Sequence, residues 1–208
     1  MFTKKLMASM LKVAAAQIEA EHENLSALDA ATGDGDHGTT ILRTMKAIVG
    51  AVNEAENKSM GALLNGVAMK VMMCDGGSVS PLLGSWFMGM ASAATSDDLS
   101  PDETAEMFEA ALNRFFFISK AALGDKTMMD ALRPATETLA VELKSGANLQ
   151  TAFAAAAQAA DEGRGKTRNY VAKFGRARTM GERAIGHYDA GATSIALIFK
   201  GFAEAASN

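Results

Sequence analysis

The amino-acid sequence predicts an all-α protein, and three observations carry that prediction. Alanine and methionine, both good helix formers, are plentiful, while aromatic residues make up only 6% of the chain. Apolar residues recur at helical spacing along nearly its whole length. No segment alternates convincingly with the two-residue period of a half-buried strand. With 208 residues, 49% of them hydrophobic, the chain suits one domain, residues 1–208, with a sizeable core, and it is too apolar to be disordered.

Eight helices are expected. The first spans about 2–24, where Leu6, Met10, Val13 and Ile18 roughly follow one face. Lys4 and Lys5 precede an apolar stretch and Ala14-Ala15-Ala16 resembles a cleavage site, but Lys12 interrupts the run, so an amphipathic helix is read rather than a signal peptide. The second, 38–52, follows a glycine-rich loop. The third, 59–74, starts at Ser59, a good N-cap. The fourth, 78–94, is apolar and holds Trp86, which reads equally as a core residue or as part of a partner surface. The fifth, 101–120, opens on Ser100-Pro101-Asp102-Glu103, a capping box with proline in the first helical position. The sixth, 127–145, contains Pro134, where a kink or break is expected, and Gly146 lies where it would end. The seventh, 148–172, is capped by Asn148, and the eighth is 191–206. Two loops interrupt this order, at 121–127 and 173–190. The second mixes Gly175, Gly181 and Gly186 with Arg176, Arg178, Glu182, Arg183, His187 and Asp189, a composition that marks a functional surface.

Charge and cysteine content exclude several classes. A net charge of −4 argues against nucleic-acid binding as the main task. The single Cys74 rules out an internal disulfide and fits a reducing, cytoplasmic setting. No run of eighteen uncharged apolar residues is present, so no membrane span is expected.

The most informative stretch is Asp29-Ala-Ala-Thr-Gly-Asp34-Gly-Asp36-His37-Gly38-Thr39-Thr40. Three carboxylates fall within eight residues, and carboxylate oxygens suit hard divalent cations that bridge to phosphates. The helix that follows offers free N–H groups to an anion. Taken alone, the stretch reads either as a metal-assisted phosphate site or as an acidic turn capping a helix. Other motifs fail on spacing. An EF-hand counted from Asp34 requires Glu where Met45 stands. A Walker A loop around Gly165-Lys166-Thr167 requires glycine where Ala160 stands. The residues before Asp34 are not strand-like, as an aspartyl-phosphate enzyme would need.

Four segments together carry a family resemblance: Gly33–Thr40, Gly76-Gly77-Ser78, Gly124-Asp125-Lys126-Thr127-Met128-Met129-Asp130, and Gly175–Ser194. Their set and order resemble the nucleotide-binding L subunit of dihydroxyacetone kinases, the DhaL family, over almost the whole chain. The resemblance implies a barrel of eight antiparallel helices with the nucleotide on the loops at one end. It implies that Asp29, Asp34 and Asp36 are Mg²⁺ ligands, for two ions. His37, Gly38, Thr39 and Thr40 match the phosphate-contacting start of a helix, and His37 reads either as a donor to a phosphate oxygen or as a satisfied structural histidine. Ser78 and Val79 match a nucleotide-contacting turn, although Val79-Ser80 stands where Ser-Gly is often seen. A hydroxyl is therefore missing at position 79, with Ser78 or Ser80 as substitutes. Met128 matches a residue packing on adenine; from physics alone it reads as a core methionine, one of fourteen. Ser119 falls near the expected base. Arg176 matches a phosphate-binding arginine with a catalytic role, since its planar fork suits oxyanions. Asp189, Ala190 and Gly191 match a segment beside the nucleotide. Lys126, Asp130 and His187 read as supporting residues.

The implied function is phosphoryl transfer from Mg-bound ATP to dihydroxyacetone or a related ketose held on a separate K subunit. In one version ADP stays bound as a cofactor and is rephosphorylated by a phosphohistidine protein of the phosphotransferase system. In the other, ATP exchanges freely. A different class also stays open: a nucleotide-loaded module that reports to a transcription regulator. Neither the sugar nor the oligomeric state is readable, and a homodimer is left open.

Overall fold

A computed structural model describes residues 1–208. It is all-α: eight α-helices, joined by short connections except for the longer segment 167–189, which holds two 3₁₀ turns. They are α1 (Lys4–Ala30), α2 (His37–Glu54), α3 (Met60–Met72), α4 (Val79–Ala93), α5 (Pro101–Ser119), α6 (Met129–Lys144), α7 (Leu149–Lys166) and α8 (Ala190–Ala206). Each helix packs on the next in sequence and α8 returns to α1, so the order of contacts closes on itself. Inside lies one continuous apolar core. Trp86 is at its centre, fully buried and stacked on Phe202 at 6.3 Å between ring centroids, with Phe108 and Phe199 also in range. The core reading of Trp86 is the correct one, and its large area makes it a main source of apolar stabilisation.

The caps explain most helix starts. Ser59 accepts from the Ala62 N–H, Asn148 from Thr151, and Ser100 and Glu103 form the reciprocal capping box. Gly146 takes φ 90° just beyond α6, as a helix-ending glycine should.

Four expectations need correction. Helix α1 runs to Ala30 rather than 24, because Leu25, seven residues after Ile18, resumes the buried stripe beyond the polar Glu21–Asn24. Asp29 therefore sits on a helix, not in the loop. Helix α7 stops at Lys166 rather than 172, where Thr167 turns its hydroxyl back to the Arg164 carbonyl at 2.6 Å and a 3₁₀ turn begins. Pro134 does not break α6. Proline has no N–H to give the Asp130 carbonyl, and α7 uses that spot for close approach: a Cβ on Gly163 would meet the Asp130 oxygen at 2.0 Å. Finally, a two-residue strand, β1 (Phe2–Thr3), pairs antiparallel with β2 (Asp98–Leu99). Such a pairing is too short to leave a period in the sequence.

This pairing marks one end of the molecule. There Lys4 donates to the Glu56 and Lys58 carbonyls, and Asp97 accepts from the Met60 N–H at 2.6 Å. The α2–α3 and α4–α5 connections thus gather around the N-terminus. The connections after α1, α3, α5 and α7 gather elsewhere, around a cleft. Short connections between sequentially packed helices put alternate loops at the same end.

Candidate nucleotide and metal site

The cleft has a volume of about 600 Å³ and takes its walls from those four connections. The last turn of α1 supplies Asp29, and the loop after it supplies Thr32, Asp34 and Asp36. The start of α2 adds His37 and Thr40, and the turn before α4 adds Gly76, Gly77 and Ser78. The end of α5 and the next loop supply Phe115, Ile118, Ser119 and Lys126–Met128, and the strap between α7 and α8 gives Phe174–Ala177 and Asp189–Gly191.

One corner is acidic. Asp29 is half-buried on the last turn of α1, and its carboxylate accepts the His37 N–H at 3.3 Å. Gly33 lets the loop fold over it, since a Cβ there would lie 2.6 Å from Asp29 Oδ1. Asp36 holds the N-cap position of α2, yet its side chain makes no capping bond. One ligand oxygen from each of Asp29, Asp34 and Asp36 lies within 4.8 Å of the others. Three hard oxygens at that spacing fit a divalent cation of the Mg²⁺ type. The guanidinium of Arg176, at the start of a 3₁₀ segment (Arg176–Ala184), forms an ion pair with Asp34. The strap is thereby joined to the acidic loop.

His37 stands between this corner and α8. Its Nε2 lies 3.2 Å from Ser194 Oγ, whose own hydrogen goes to the Gly191 carbonyl at 2.8 Å. The serine is thus the acceptor, and the assigned tautomer carries its proton on Nε2. Burial pushes the imidazole pKa down, against the pull of Asp29, which favours the neutral ring. In this arrangement the ring's donor is spent on Ser194, and Nδ1 is left as an acceptor. A donation from His37 to phosphate requires a second proton or a changed partner. Thr40 lines the cleft, whereas Gly38 and Thr39 do not. Thr39 points to solvent. Gly38 is a packing residue: a Cβ there would come 1.8 Å from the His22 carbonyl oxygen of α1.

The opposite wall is apolar, formed by Val79, Pro81, Leu82, Phe115, Ile118 and Met128. Met128 presses on the first turn of α8 so closely that a Cβ on Gly191 would be 2.9 Å from its Cγ. Ser78 and Ser119 line the cleft, and Ser78 keeps its hydroxyl free of capping. Ser80 is not a substitute for the missing hydroxyl. It is buried away from the cleft, its Oγ has no partner, and it fills the space beside Gly76. Asp189 caps α8 by accepting the Ala192 N–H at 2.6 Å. Burial of its carboxylate raises the pKa to about 7, with Asp130 and Asp29 adding to the rise and Lys126 opposing it.

Thr32, Pro81, Leu82, Phe115, Ile118 and Phe174 were not foreseen as site residues. One signal was present: Phe115-Phe116-Phe117-Ile118 is an apolar run too long for one helix face. Phe116, Phe117 and Ile118 are indeed exposed at 46%, 67% and 47%.

Residues 31–204 match the DAK2 domain. The chain belongs to the DAK2-domain family. The ADP-binding subunit DhaL of the PEP-dependent dihydroxyacetone kinase of Escherichia coli K12 is 33% identical over 187 residues, 89% of each chain. The corresponding subunit of Listeria innocua kinase 2 is 36% identical over 182 residues, 86% of this chain and 84% of that one. The D-erythrulose kinase of Mycolicibacterium smegmatis is 34% identical over 197 residues, which cover 93% of this chain but 34% of the relative. Among solved structures, the dihydroxyacetone kinase of C. freundii in complex with AMP-PNP and Mg²⁺ superposes with a TM-score of 0.75 at 26% identity. It covers 96% of this chain and 34% of that one. This DAK2 chain therefore spans about a third of the longer kinases and nearly the full length of the free-standing L subunits. Its relatives are kinases or kinase subunits, which places it in a phosphotransferase family.

Proposed function

We propose that this chain is the nucleotide-binding subunit of a dihydroxyacetone or related ketose kinase. One observation carries the reading: three carboxylates, an arginine and an apolar slot converge on a single cleft at one end of a helical ring. Asp29, Asp34 and Asp36 would hold Mg²⁺, for which two ions are proposed. When bound, the metal supplies charge neutralisation for the phosphates. The apolar wall around Met128 takes the base and excludes water from one side. Ser78, Thr40 and the first turns of α2 and α8 (including Ala190 and Gly191) offer backbone and hydroxyl donors to the phosphates. Arg176 neutralises the transferring group with a planar fork of donors. No side chain in the cleft is placed as a covalent phosphate acceptor, so catalysis rests on positioning and electrostatics.

The sugar would be held by a separate K subunit, and ADP would remain bound as a cofactor rephosphorylated by a phosphohistidine protein. The likeness to ADP-binding subunits of PEP-dependent kinases supports this version. The likeness to a kinase structure holding AMP-PNP favours a second reading, direct use of exchangeable ATP. Reconstituted turnover with a K subunit separates them. Turnover driven by a phosphoenolpyruvate relay with substoichiometric ADP supports the first, and strict dependence on added ATP supports the second. Sugar phosphorylation that survives Asp34→Asn with Asp36→Asn overturns both, and leaves a regulatory module acting on a transcription factor as the alternative.

A further inference from the structure

Lys126 belongs to a motif singled out in the sequence, yet the nucleotide reading leaves it without a task. It lies beside Thr127 and Met128 in the cleft wall and is only 2% exposed. Its ammonium group makes no salt bridge with a carboxylate. It donates instead to two backbone carbonyls, those of Thr167 at 2.6 Å and of His187. Thr167 in turn accepts the Asp189 N–H on its hydroxyl at 3.0 Å. One buried side chain thus fastens the α5–α6 connection, which carries Met128, to the turn that presents Asp189, Ala190 and Gly191.

The position is costly for lysine on two counts. Burying an ammonium is unfavourable unless its donors are satisfied. The backbone also has φ 59°, a left-handed conformation that side chains other than glycine rarely adopt. Strain of this kind collects at ligand clamps, where the surroundings enforce it. Glycine would relieve the backbone and methionine the burial, but neither spans the gap to both carbonyls. The turn itself is held from the other side by Asp130, which accepts from the Gly124 and Thr127 N–H groups at 2.6 and 2.8 Å. No hydrogen bond links Lys126 to Asp29 at the end of α1 or to Asp34 and Asp36 in the loop that follows it.

We propose that Lys126 is a positioning residue of the nucleotide site: it sets the separation between the Met128 wall and the first turn of α8, so that the slot between them is formed before nucleotide enters. This rests on the nucleotide-binding reading above. A merely structural lysine would, when replaced, loosen the whole cleft. A positioning lysine affects one ligand and spares the other.

The test measures two ligands of the same cleft on the full chain: Mn²⁺ alone, by electron paramagnetic resonance, and ADP with Mg²⁺, by calorimetry. Lys126→Met should weaken ADP by about tenfold or more, since the His187 carbonyl loses its donor and the Thr167 carbonyl keeps only the Tyr170 N–H. Mn²⁺ affinity should stay within about twofold. Lys126→Arg, which can donate to both carbonyls, should recover most of the ADP affinity. Thr167→Val keeps the Lys126 bonds to backbone but removes the hydroxyl that ties Asp189 to the same brace, and should weaken ADP by about fivefold, again sparing Mn²⁺. If Lys126→Met does not fold, Lys126→Gln, whose shorter amide cannot reach both carbonyls, decides the matter: ADP weakened with Mn²⁺ spared supports the inference, and unchanged ADP affinity overturns it. Unchanged ADP affinity, parallel loss of both ligands, or an arginine variant no better than methionine overturns the inference. A wild-type chain that takes up no ADP overturns the underlying reading as well, whereas equal ADP binding by wild type and Lys126→Met overturns this inference alone.

Discussion

Arg176 and Asp34 are ion-paired across 142 residues of sequence, so that a proposed phosphate ligand rests on a proposed metal ligand. The pair is well exposed, and an exposed pair contributes little to stability. Its consequence is for binding. Arg176 competes with a cation for the Asp34 carboxylate, yet it supplies charge to an incoming phosphate. Arg176→Ala should therefore move two affinities in opposite directions. Metal alone should bind about two- to fivefold more tightly, from the lost competition. Nucleotide should bind at least about tenfold more weakly, from the lost charged hydrogen bonds. Parallel titrations with Mn²⁺ and with Mg-ADP check both signs.

Asp36→Asn should separate stability from binding. The Asp36 side chain caps nothing and faces two other carboxylates. Removing its charge relieves repulsion in the metal-free protein, so the thermal midpoint in EDTA should hold or rise. Metal affinity should fall by at least about tenfold, since a ligand matters no less than its supporting shell. Thermal melts with and without Mg²⁺ read both effects.

Two glycines of α2 and α3 should respond in opposite ways to alanine. Gly38→Ala drives a Cβ into the His22 carbonyl at 1.8 Å, and backbone must shift. A loss of about 1–3 kcal/mol or more is expected. Gly66→Ala meets nothing within 4 Å and should gain about 0.5–1 kcal/mol from reduced freedom of the unfolded chain. Denaturant unfolding of both variants gives the sign and the size.

Asp189 imposes a pH dependence on stability. Its folded pKa is raised from 3.8 to about 7, with burial as the main cause. Between those values the unfolded chain has released the proton and the folded chain still holds it. The native state thus binds more protons, and this group's contribution to stability falls as pH rises through that window, then levels off. Asp189→Asn removes the titration but keeps an oxygen to cap α8. The difference in melting temperature between variant and wild type, measured in EDTA, should widen in favour of the variant from pH 3.8 to about 7 and then stay constant. A constant gap across the window would mean that Lys126 keeps the carboxylate ionised.

Much of this molecule is legible in its sequence because local chemistry decides it. Ser59, Ser100 and Asn148 announce helix starts through bonds to residues only three positions on, and such signals need no knowledge of the fold. The acidic stretch from Asp29 to Asp36 is equally local. What escaped reading depends on distant partners. Helix α1 continues past a polar run because Leu25 finds the core. Pro134 is accommodated because Gly163, on another helix, closes over the freed Asp130 carbonyl. The apolar wall of Pro81, Leu82 and Phe115 is assembled from separate connections, and no one segment carries its pattern. Gly38 was expected near phosphate, and its lack of a side chain is set by the distant His22 carbonyl. The donor of His37 is claimed by Ser194, 157 residues away.

The most direct measurement is the nucleotide content of the gently purified protein, by mass spectrometry and phosphorus assay, before and after EDTA. The expected result is bound ADP that withstands gel filtration and is released on chelation, because the aspartates grip the phosphates only through metal. A protein that takes up no nucleotide at any Mg²⁺ concentration would contradict the assignment of the cleft.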